Sequence, residues 1–556
     1  MENCFAEART YEYALPVTGE ELISRLEGFE VKENHSFRRP VFSAKRGALE
    51  IKGILKADVV KINYTAENWE KEKKEMEEWL EEQDVFLPGV TESLCPVCLE
   101  TLPARKAVRD SGIYLVKECP EHGRYEALIW EGSAESYLAW GEKLSPADRI
   151  PGAGPVRKGC PLDCGLCEAH ERRGCCVLLE VTGRCNLRCP VCFAESGPEG
   201  RDVPLEELKR QLEYLMEHGG PFNIQLSGGE PTVREDLEEI IRLGRDTGFS
   251  FFQLNTNGIR LAEEPGYALR LKKAGLSCVF LQFDGMSDDV YRTLRGRALL
   301  DSKLRAIDAC EAAGLGVVLV PVIVPGVNED QVGKILALAR SRMPAVRGVH
   351  FQPVSYFGRC READGSYRIT IPKMLALMEE QTDGWIRAGD FTGGNATNPY
   401  CTFQANYLRG PDGAMRLQAH GETRNTGVSE QARDAVARQW SGAESGCCCS
   451  EGGVSECCGG EGSASECCGS GESGESGRCC GEELSALTLD ISSLDEFLAE
   501  RHRNTLAISG MVFQDAWNLE LERLKRCYIL ESDSRYGMVP FCIYNLTGAD
   551  GRTVYR

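Results

Sequence analysis

Cys185-Asn186-Leu187-Arg188-Cys189-Pro190-Val191-Cys192 places three cysteines at C-x3-C-x2-C spacing, two residues after the apolar run Val177-Leu178-Leu179-Glu180-Val181-Thr182. A cubane iron–sulfur cluster has four irons, and its usual protein cage is four thiolates. Three thiolates on one short loop hold three irons and leave the fourth open to a small chelating molecule. The alternatives are a zinc knuckle or a set of reduced buried thiols. Zinc sites pair two C-x2-C units or add His at fixed spacing, and this loop has neither form.

Outward from that loop, residues 177 to about 355 alternate short apolar runs with helical patterns. Candidate strands are 177–182, 223–227, 251–255, 278–283, 316–324 and 348–354; Leu205 to His218 and Leu237 to Asp246 are among the helices between them. Six β/α units in a row imply an α/β fold with parallel strands and helices outside. Nearly continuous apolar strands suit a sheet buried on both faces. Ligands of such folds sit at the carboxyl ends of the strands, where the cysteine loop leaves the first one. The second strand ends in Gly228-Gly229-Glu230-Pro231, whose glycines let backbone pass close to a ligand. The third ends in Asn255-Thr256-Asn257-Gly258 and the fourth in Asp284-Gly285; strand-to-helix capping is the plainer reading of both.

Further cysteines flank this region. Cys95, Cys98, Cys119 and His122 form C-x2-C followed by C-x2-H, which suits tetrahedral zinc or a single iron. Cys160, Cys164 and Cys167 repeat the C-x3-C-x2-C spacing, with Cys175 as a fourth thiolate and Cys176 as a spare. Four thiolates make a closed auxiliary cluster, with zinc the alternative. The Cys160 loop is separated from the Cys185 loop by a strand about 20 Å long. The auxiliary cluster is therefore expected near the barrel's amino-terminal mouth or flank, unless the chain doubles back. Cys401, Cys527 and Cys542 could hold a second auxiliary cluster whose fourth ligand is missing or comes from elsewhere, or they are unpaired core thiols. Reconstitution is expected to load at least about eight irons, with about twelve if that second cluster forms.

The organisation read from these patterns is a small α+β domain at 1–88, a rubredoxin-like or zinc-ribbon-like metal domain at 89–155, and the α/β core with its auxiliary loop at 156–400. A C-terminal cluster region at 401–440, a Cys/Gly/Ser/Glu-rich flexible insertion at 441–482 and an extension at 483–556 follow. The chain has 556 residues and a net charge of −21, which argues against nucleic acid as a partner. The charged N-terminus and the lack of any 18-residue apolar run predict no signal peptide and no transmembrane segment, hence a cytoplasmic chain. Its 27 cysteines then point to metal and redox chemistry rather than to disulfides.

These motifs, in this order, resemble one subgroup of the radical S-adenosylmethionine (SAM) superfamily. The Cys95–Gly123, Cys160–Cys175 and Cys185 motifs and Gln225-Leu226-Ser227-Gly228-Gly229-Glu230-Pro231 are similar to archaeal tetraether lipid synthase and pterin-methylase-like enzymes. Phe280-Leu281-Gln282-Phe283-Asp284-Gly285 and His350-Phe351-Gln352-Pro353-Val354-Ser355-Tyr356 look closer still to the radical SAM (seleno)protein TrsS branch. The resemblance spans about residues 90–420 and 515–556. It implies a partial (β/α)6 TIM-like barrel with an N-terminal rubredoxin-like knuckle. It also implies a SAM-binding [4Fe–4S] cluster on Cys185, Cys189 and Cys192, at least one auxiliary [4Fe–4S] cluster, and one mononuclear Fe or Zn. Gly228 to Pro231 match the family's SAM amino-group motif. Asn255, Asn257 and Asp284 stand at strand ends with it, and Arg295 either meets the SAM carboxylate or makes a salt bridge. The implied activity is reductive cleavage of SAM to a 5′-deoxyadenosyl radical, used for alkylation, methylation or C–C coupling at an unactivated carbon. Its partners are a small-molecule or lipid substrate and a low-potential electron donor of ferredoxin or flavodoxin type. The general acid and radical-quenching residue are unassigned. The chain departs from the family before Cys401, where Ala396-Thr397-Asn398 replaces an expected Cys and His. The competing reading is a multi-cluster electron-transfer or metal- or selenium-handling protein without SAM turnover.

Overall fold

The computed structural model describes residues 9–14, 18–57, 59–64, 69–82, 85–141, 147–149, 154–165, 167–360, 368–394, 398–418, 429–441 and 491–556. The Cys-rich insertion and the Ala396-Thr397 stretch lie outside them.

The centre is a run of eight parallel strands: β1 (Cys176–Thr182), β2 (Asn223–Gly228), β3 (Phe252–Thr256), β4 (Cys278–Gln282), β5 (Gly316–Val320), β6 (Val346–Pro353), β7 (Thr505–Met511) and β8 (Ile529–Asp533). Their spatial order is 7-6-5-4-3-2-1-8. The first six are the β/α units legible in the sequence. The other two come from the C-terminal extension, so the six-unit core is widened at both edges: β7 pairs with β6 and β8 with β1, both parallel. Antiparallel strands follow at each end, Thr402–Arg409 and Met415–Leu417 beyond β7 and Gly537–Pro540 beyond β8. Among the described residues no ladder joins the two ends, and the barrel is open. The expected strand 316–324 is broken at Pro321, which has no N–H to donate, and resumes as Val322–Ile323.

Alternation decides which side chains face where. Val177, Leu179 and Val181, then Ile224 and Leu226, Phe252 and Leu254, Val279 and Leu281 point outward. They pack under Leu208, Leu212, Leu215 and Ile240 of the surrounding helices in one large core. Helix Leu205–Glu217 places three of those leucines on one side by its 3.6-residue period. The inward positions between them carry Gln225, Gln253, Asn255, Gln282, His350 and Gln352. The strands are therefore buried on both faces but not apolar on both. Helix Ser429–Trp440 covers the amino-terminal end, tied by Asn223 Nδ2 to Arg433 O (2.9 Å), with the Trp440 ring edge-on to Phe280 at 5.9 Å.

Two smaller sheets precede the barrel. Strands Arg9–Ala14, Val59–Tyr64, Leu49–Ile54, Val41–Arg46 and Glu30–Asn34 form an antiparallel sheet over its own core of Phe42, Ile51, Ile62 and Leu22. Strands Thr91–Leu94, Thr101–Arg109, Gly112–Cys119 and Gly123–Trp130 form the metal-knuckle sheet. That sheet is moored to the loop between β7 and β8: Lys117 Nζ donates to Ala516 O (2.8 Å), Ser93 Oγ to Leu519 O (2.6 Å), and Lys106 pairs with Glu520 at 2.6 Å.

The same loop carries Asp515, which is fully buried and bidentate to Arg368 (2.6 and 2.8 Å) while accepting from the N–H groups of Tyr356 and Trp517. It joins the chain leaving β6 to the chain leaving β7. Asp515→Ala strands the Arg368 guanidinium in the interior. The expected result is a loss of about 3–5 kcal/mol in urea unfolding, read as a lower midpoint at unchanged slope.

Candidate functional site

The loop after β1 is shaped by the turn after β2. Gly229 N donates to Thr182 O (2.7 Å) and Glu230 N to Arg184 O (2.8 Å). A Cβ on Gly229 would collide with the Arg184 carbonyl, and Gly228 has φ +109, so both glycines are required by this approach. The Glu230 carboxylate accepts from Thr232 N (3.1 Å) and Oγ1 (2.6 Å), Thr256 Oγ1 (2.6 Å) and Asn257 N (2.6 Å). It ties the carboxyl ends of β2 and β3 together. Asn257 Nδ2 in turn donates to Asn186 Oδ1 inside the cysteine loop (2.7 Å).

Two arginines clamp the cysteine loop itself. Arg295 donates through Nε and Nη2 to the two oxygens of Asp284 (2.7 and 2.8 Å), and through Nη1 to Val191 O (3.1 Å). The salt bridge of the sequence reading is present, buried rather than on the surface, and Arg295 also lines the cavity beside the cysteine loop. Asp284 is likewise spent on Arg295 and on Val322 N (3.1 Å). Arg359 donates through Nη1 to Cys189 O (3.0 Å) and Nη2 to Ser196 O (2.8 Å), and its backbone exchanges a pair of bonds with Cys192 at 2.9 and 3.0 Å. Sequence reading missed Arg359, which lies beyond the last recognised strand. It also missed Lys303, a buried ammonium donating to Asn257 O (2.5 Å) and Gln282 Oε1 (3.0 Å); burial pushes it down to about 7.

Cys185, Cys189 and Cys192 open onto one cavity of about 370 Å³ that runs down the barrel interior. Gly229, Glu230, Asn255, Asn257 and Arg295 share its lining; Gly228, Pro231 and Asp284 stand behind it. Burial pushes the Cys185 thiol up to about 12 and raises Cys189, although Arg295 beside Cys189 works against the rise. Leu187 N donates to Cys185 Sγ at 3.4 Å, a bond that favours the thiolate. Deeper in, His350 Nδ1 pairs with Ser509 Oγ (2.9 Å), and burial lowers its pKa to about 4, which leaves the imidazole neutral.

The other cysteine sets are placed as follows. Cys95, Cys98, Cys119 and His122 offer ligand atoms all within 4.8 Å of one another. Hydrogen bonding from His122 lowers Cys119 to about 6, while burial raises Cys98 to about 11. Cys160 and Cys164 lie side by side beneath Tyr555, whose hydroxyl donates to Pro161 O (2.7 Å) and accepts from Cys164 N (3.0 Å). Here the chain does double back: Gly165 abuts the Tyr536 carbonyl beyond the carboxyl end of β8, while Glu171 N reaches Lys525 O (2.7 Å) before its amino end. The Cys160 loop is thus on the barrel flank at the level of the carboxyl end, not at the amino-terminal mouth. Cys175 stands at the foot of β8, where its N–H donates to Tyr528 O (3.1 Å). Cys401, Cys527 and Cys542 do converge, on a small second cavity.

A protein-family model described as the radical SAM superfamily matches residues 179–339. One described as the HMPTM N-terminal zinc ribbon domain matches residues 87–131. Over 490 residues the chain is 37% identical to 7,8-dihydro-6-hydroxymethylpterin dimethyltransferase of Methanocaldococcus jannaschii, covering 82% of this chain and 93% of that one. The chain belongs to this radical SAM family. It is an enzyme of the radical SAM class, and the family implies a [4Fe–4S] cluster and SAM. GTP 3′,8-cyclase of Marinobacter nauticus is 29% identical over 245 residues, 43% of this chain and 69% of that one. The native structure of anSMEcpe with bound AdoMet covers 38% of this chain and 60% of that one at 19% identity and TM-score 0.32. Among the described residues no helix is long and apolar enough to cross a membrane.

Arg359→Ala removes two donors from the cysteine-loop carbonyls and leaves every thiol in place. The expected outcome is a reconstituted protein that loses about four irons on repeated anaerobic desalting, while Arg359→Lys retains part of them.

Proposed function

We propose that this radical SAM enzyme transfers a methyl or other alkyl group to an unactivated carbon of a small, hydrogen-bonding molecule held inside the barrel. The observation that carries the reading is that one cavity joins the three thiols of the Cys185 loop to the amides of the barrel interior. Three converging thiols, an amide donor on Cys185 Sγ and a closed backbone clamp suit a cluster with one open iron. With SAM on that iron, such a cluster supplies a 5′-deoxyadenosyl radical on one-electron reduction. The protein's own contribution is orientation and exclusion of water. Arg295 and Arg359 fix the loop, the Glu230 network fixes the β2 and β3 ends, and Asn255 and Asn257 present amides at the rim of the chamber.

The chamber supports one substrate class over another. Its volume suits a small molecule. Gln225, Gln253, Asn255, Gln282, Gln352 and Gln404 line it together with His350, among apolar side chains such as Leu178, Phe280, Val320 and Met511, and the amide groups not already bonded to one another need partners once water is expelled. An alkyl chain offers none, whereas a heterocycle with donor and acceptor edges does. The relative's substrate, a dihydropterin by its name, is of that kind. Lipid chain coupling, as in tetraether lipid synthase, and a role in selenium metabolism, as in the TrsS branch, find less support in this lining. Cys160, Cys164 and Cys167 would serve an auxiliary cluster on the barrel flank. Cys95, Cys98, Cys119 and His122 would hold one zinc or iron that braces the knuckle sheet against the β7–β8 loop. A cytoplasmic setting and a ferredoxin- or flavodoxin-type donor fit this chemistry.

Anaerobically reconstituted protein with dithionite and SAM is expected to release 5′-deoxyadenosine, and the Cys185→Ala, Cys189→Ala, Cys192→Ala variant to release none. Added 7,8-dihydro-6-hydroxymethylpterin should stimulate that release and yield a product one or two methyl groups heavier by mass spectrometry. Stimulation by an archaeal ether lipid and not by the pterin would reverse the substrate assignment.

A further inference from the structure

Helix Leu300–Ala312 turns Lys303, Ala306, Ile307 and Cys310 to its buried side at helical spacing, so a lysine occupies a position that suits an aliphatic residue. Its side chain is fully buried. A lysine is almost never fully buried unless it is paired. The acceptors of Lys303 are two carbonyl oxygens, Asn257 O (2.5 Å) and Gln282 Oε1 (3.0 Å), and among the described residues it forms no ion pair. Asp284 and Glu230 act on it from farther away, and both are already occupied. Asp284 is bidentate to Arg295, while Glu230 accepts from neutral donors on Thr232, Thr256 and Asn257.

Each acceptor of Lys303 leads back to the cysteine loop. On one arm Asn257 Nδ2 donates to Asn186 Oδ1 (2.7 Å). On the other, Gln282 Nε2 donates to Asp284, Asp284 holds Arg295, and Arg295 Nη1 donates to Val191 O (3.1 Å). The two arms form a circuit that leaves the loop at Asn186, passes through the ammonium and re-enters at Val191. Cys189 stands between those two points.

We propose that Lys303 is a positioning residue for the radical step: as a buried cation joined to both ends of the cysteine loop, it sets the reduction potential of the cluster on Cys185, Cys189 and Cys192. The proposal rests on the reading of that loop given above. A [4Fe–4S] core with three thiolates is negative overall and takes up a further negative charge on reduction. In a buried setting a fixed cation stabilises the reduced form more than the oxidised one, which raises the potential. Arg295 is neutralised by Asp284, whereas Lys303 carries a charge without a paired counter-ion, and the cluster supplies one. Burial lowers the ammonium to about 7, and Arg295 works in the same direction; Asp284, Glu230 and Cys189 hold the proton on. The negative charge of a loaded loop adds to that hold.

The test measures a potential and requires no substrate. Wild-type protein, Lys303→Met and Lys303→Gln are reconstituted anaerobically with iron and sulfide. Iron content is measured, circular dichroism reports the fold, and the EPR signal that responds to SAM is followed through a reductive titration. Both variants are expected to keep the wild-type iron content and to develop that signal at a lower potential than wild type. The shift should be alike in the two, because both remove the charge while glutamine retains an N–H donor. Unchanged potentials overturn the proposal. So does a shift in only one of two loaded variants, which would report local repacking rather than the lost charge. If Lys303→Met does not fold or load, Lys303→Gln decides alone. If neither folds and loads, Lys303 has a structural role only and the tuning role is overturned. A wild-type protein without a SAM-responsive signal would instead sink the reading of the Cys185 loop, and the tuning role with it.

Discussion

The site depends on holding a short thiol-bearing loop still without using its sulfurs to do so. Three thiolates committed to a cluster contribute negative charge in a buried setting, and only fixed cations and backbone donors can balance it there. Arg295 and Arg359 meet that need from opposite sides, each bonding carbonyls of the loop. Arg295 is itself neutralised by Asp284, so the pair orients the loop at little net charge, while Arg359 has no carboxylate among the partners resolved for it. The glycine turn after β2 completes the frame because backbone can approach backbone only where no Cβ intervenes.

From that frame the rest of the barrel follows as a division of faces. Outward positions are aliphatic and aromatic and pack under helices, which makes the scaffold rigid. Inward positions mix apolar side chains such as Leu178, Phe280 and Val320 with amides, whose desolvation is costly unless something hydrogen-bonds to them. Part of that cost is met internally, as Gln253 Nε2 donates to Asn255 Oδ1 (2.9 Å) and Asn255 Nδ2 to Gln225 Oε1 (3.3 Å).

The β/α core was legible because its strands and helices carry distinct periods and because the cysteine loop leaves a strand's carboxyl end. Cys185, Cys189 and Cys192, the glycine turn and the Cys95–His122 set could be read from spacing alone, since each is a local motif. What was not legible is long-range. Arg359 clamps a loop 170 residues away in sequence from Cys189, and no local pattern announces it. The strands Thr505–Met511 and Ile529–Asp533 lack the spacing of a β/α repeat and looked like an appendage. Cys175 was grouped with Cys160 because the two are near in sequence; Gly165 lies beyond the carboxyl end of β8 and Glu171 before its amino end, so Cys175 stands at the other end of that strand from Gly165. The amides inside the barrel were present as alternating Gln225, Gln253, Asn255 and Gln282, but they were read as part of apolar runs.

The last strand shows why composition misleads at such edges. β8 carries Glu531 at full burial, with no hydrogen-bond partner on either carboxylate oxygen among the described residues. Burial, reinforced by the nearby Glu180, raises its pKa well above the ordinary carboxylate range, so the group is protonated and neutral. Glu180 instead pairs with Arg556 at 2.5 Å, and the Arg556 guanidinium also lies over the rings of Phe193 and Tyr544. A strand reading Ile-Leu-Glu-Ser-Asp looks solvent-facing by hydropathy, yet it can join the buried sheet because one carboxyl gives up its charge and the neighbouring one is paired with a guanidinium. The edge of the barrel is thus sealed by ion pairing and a neutralised carboxyl alongside Leu530 and Met538, and it is this edge that brings Tyr528 to the chamber wall.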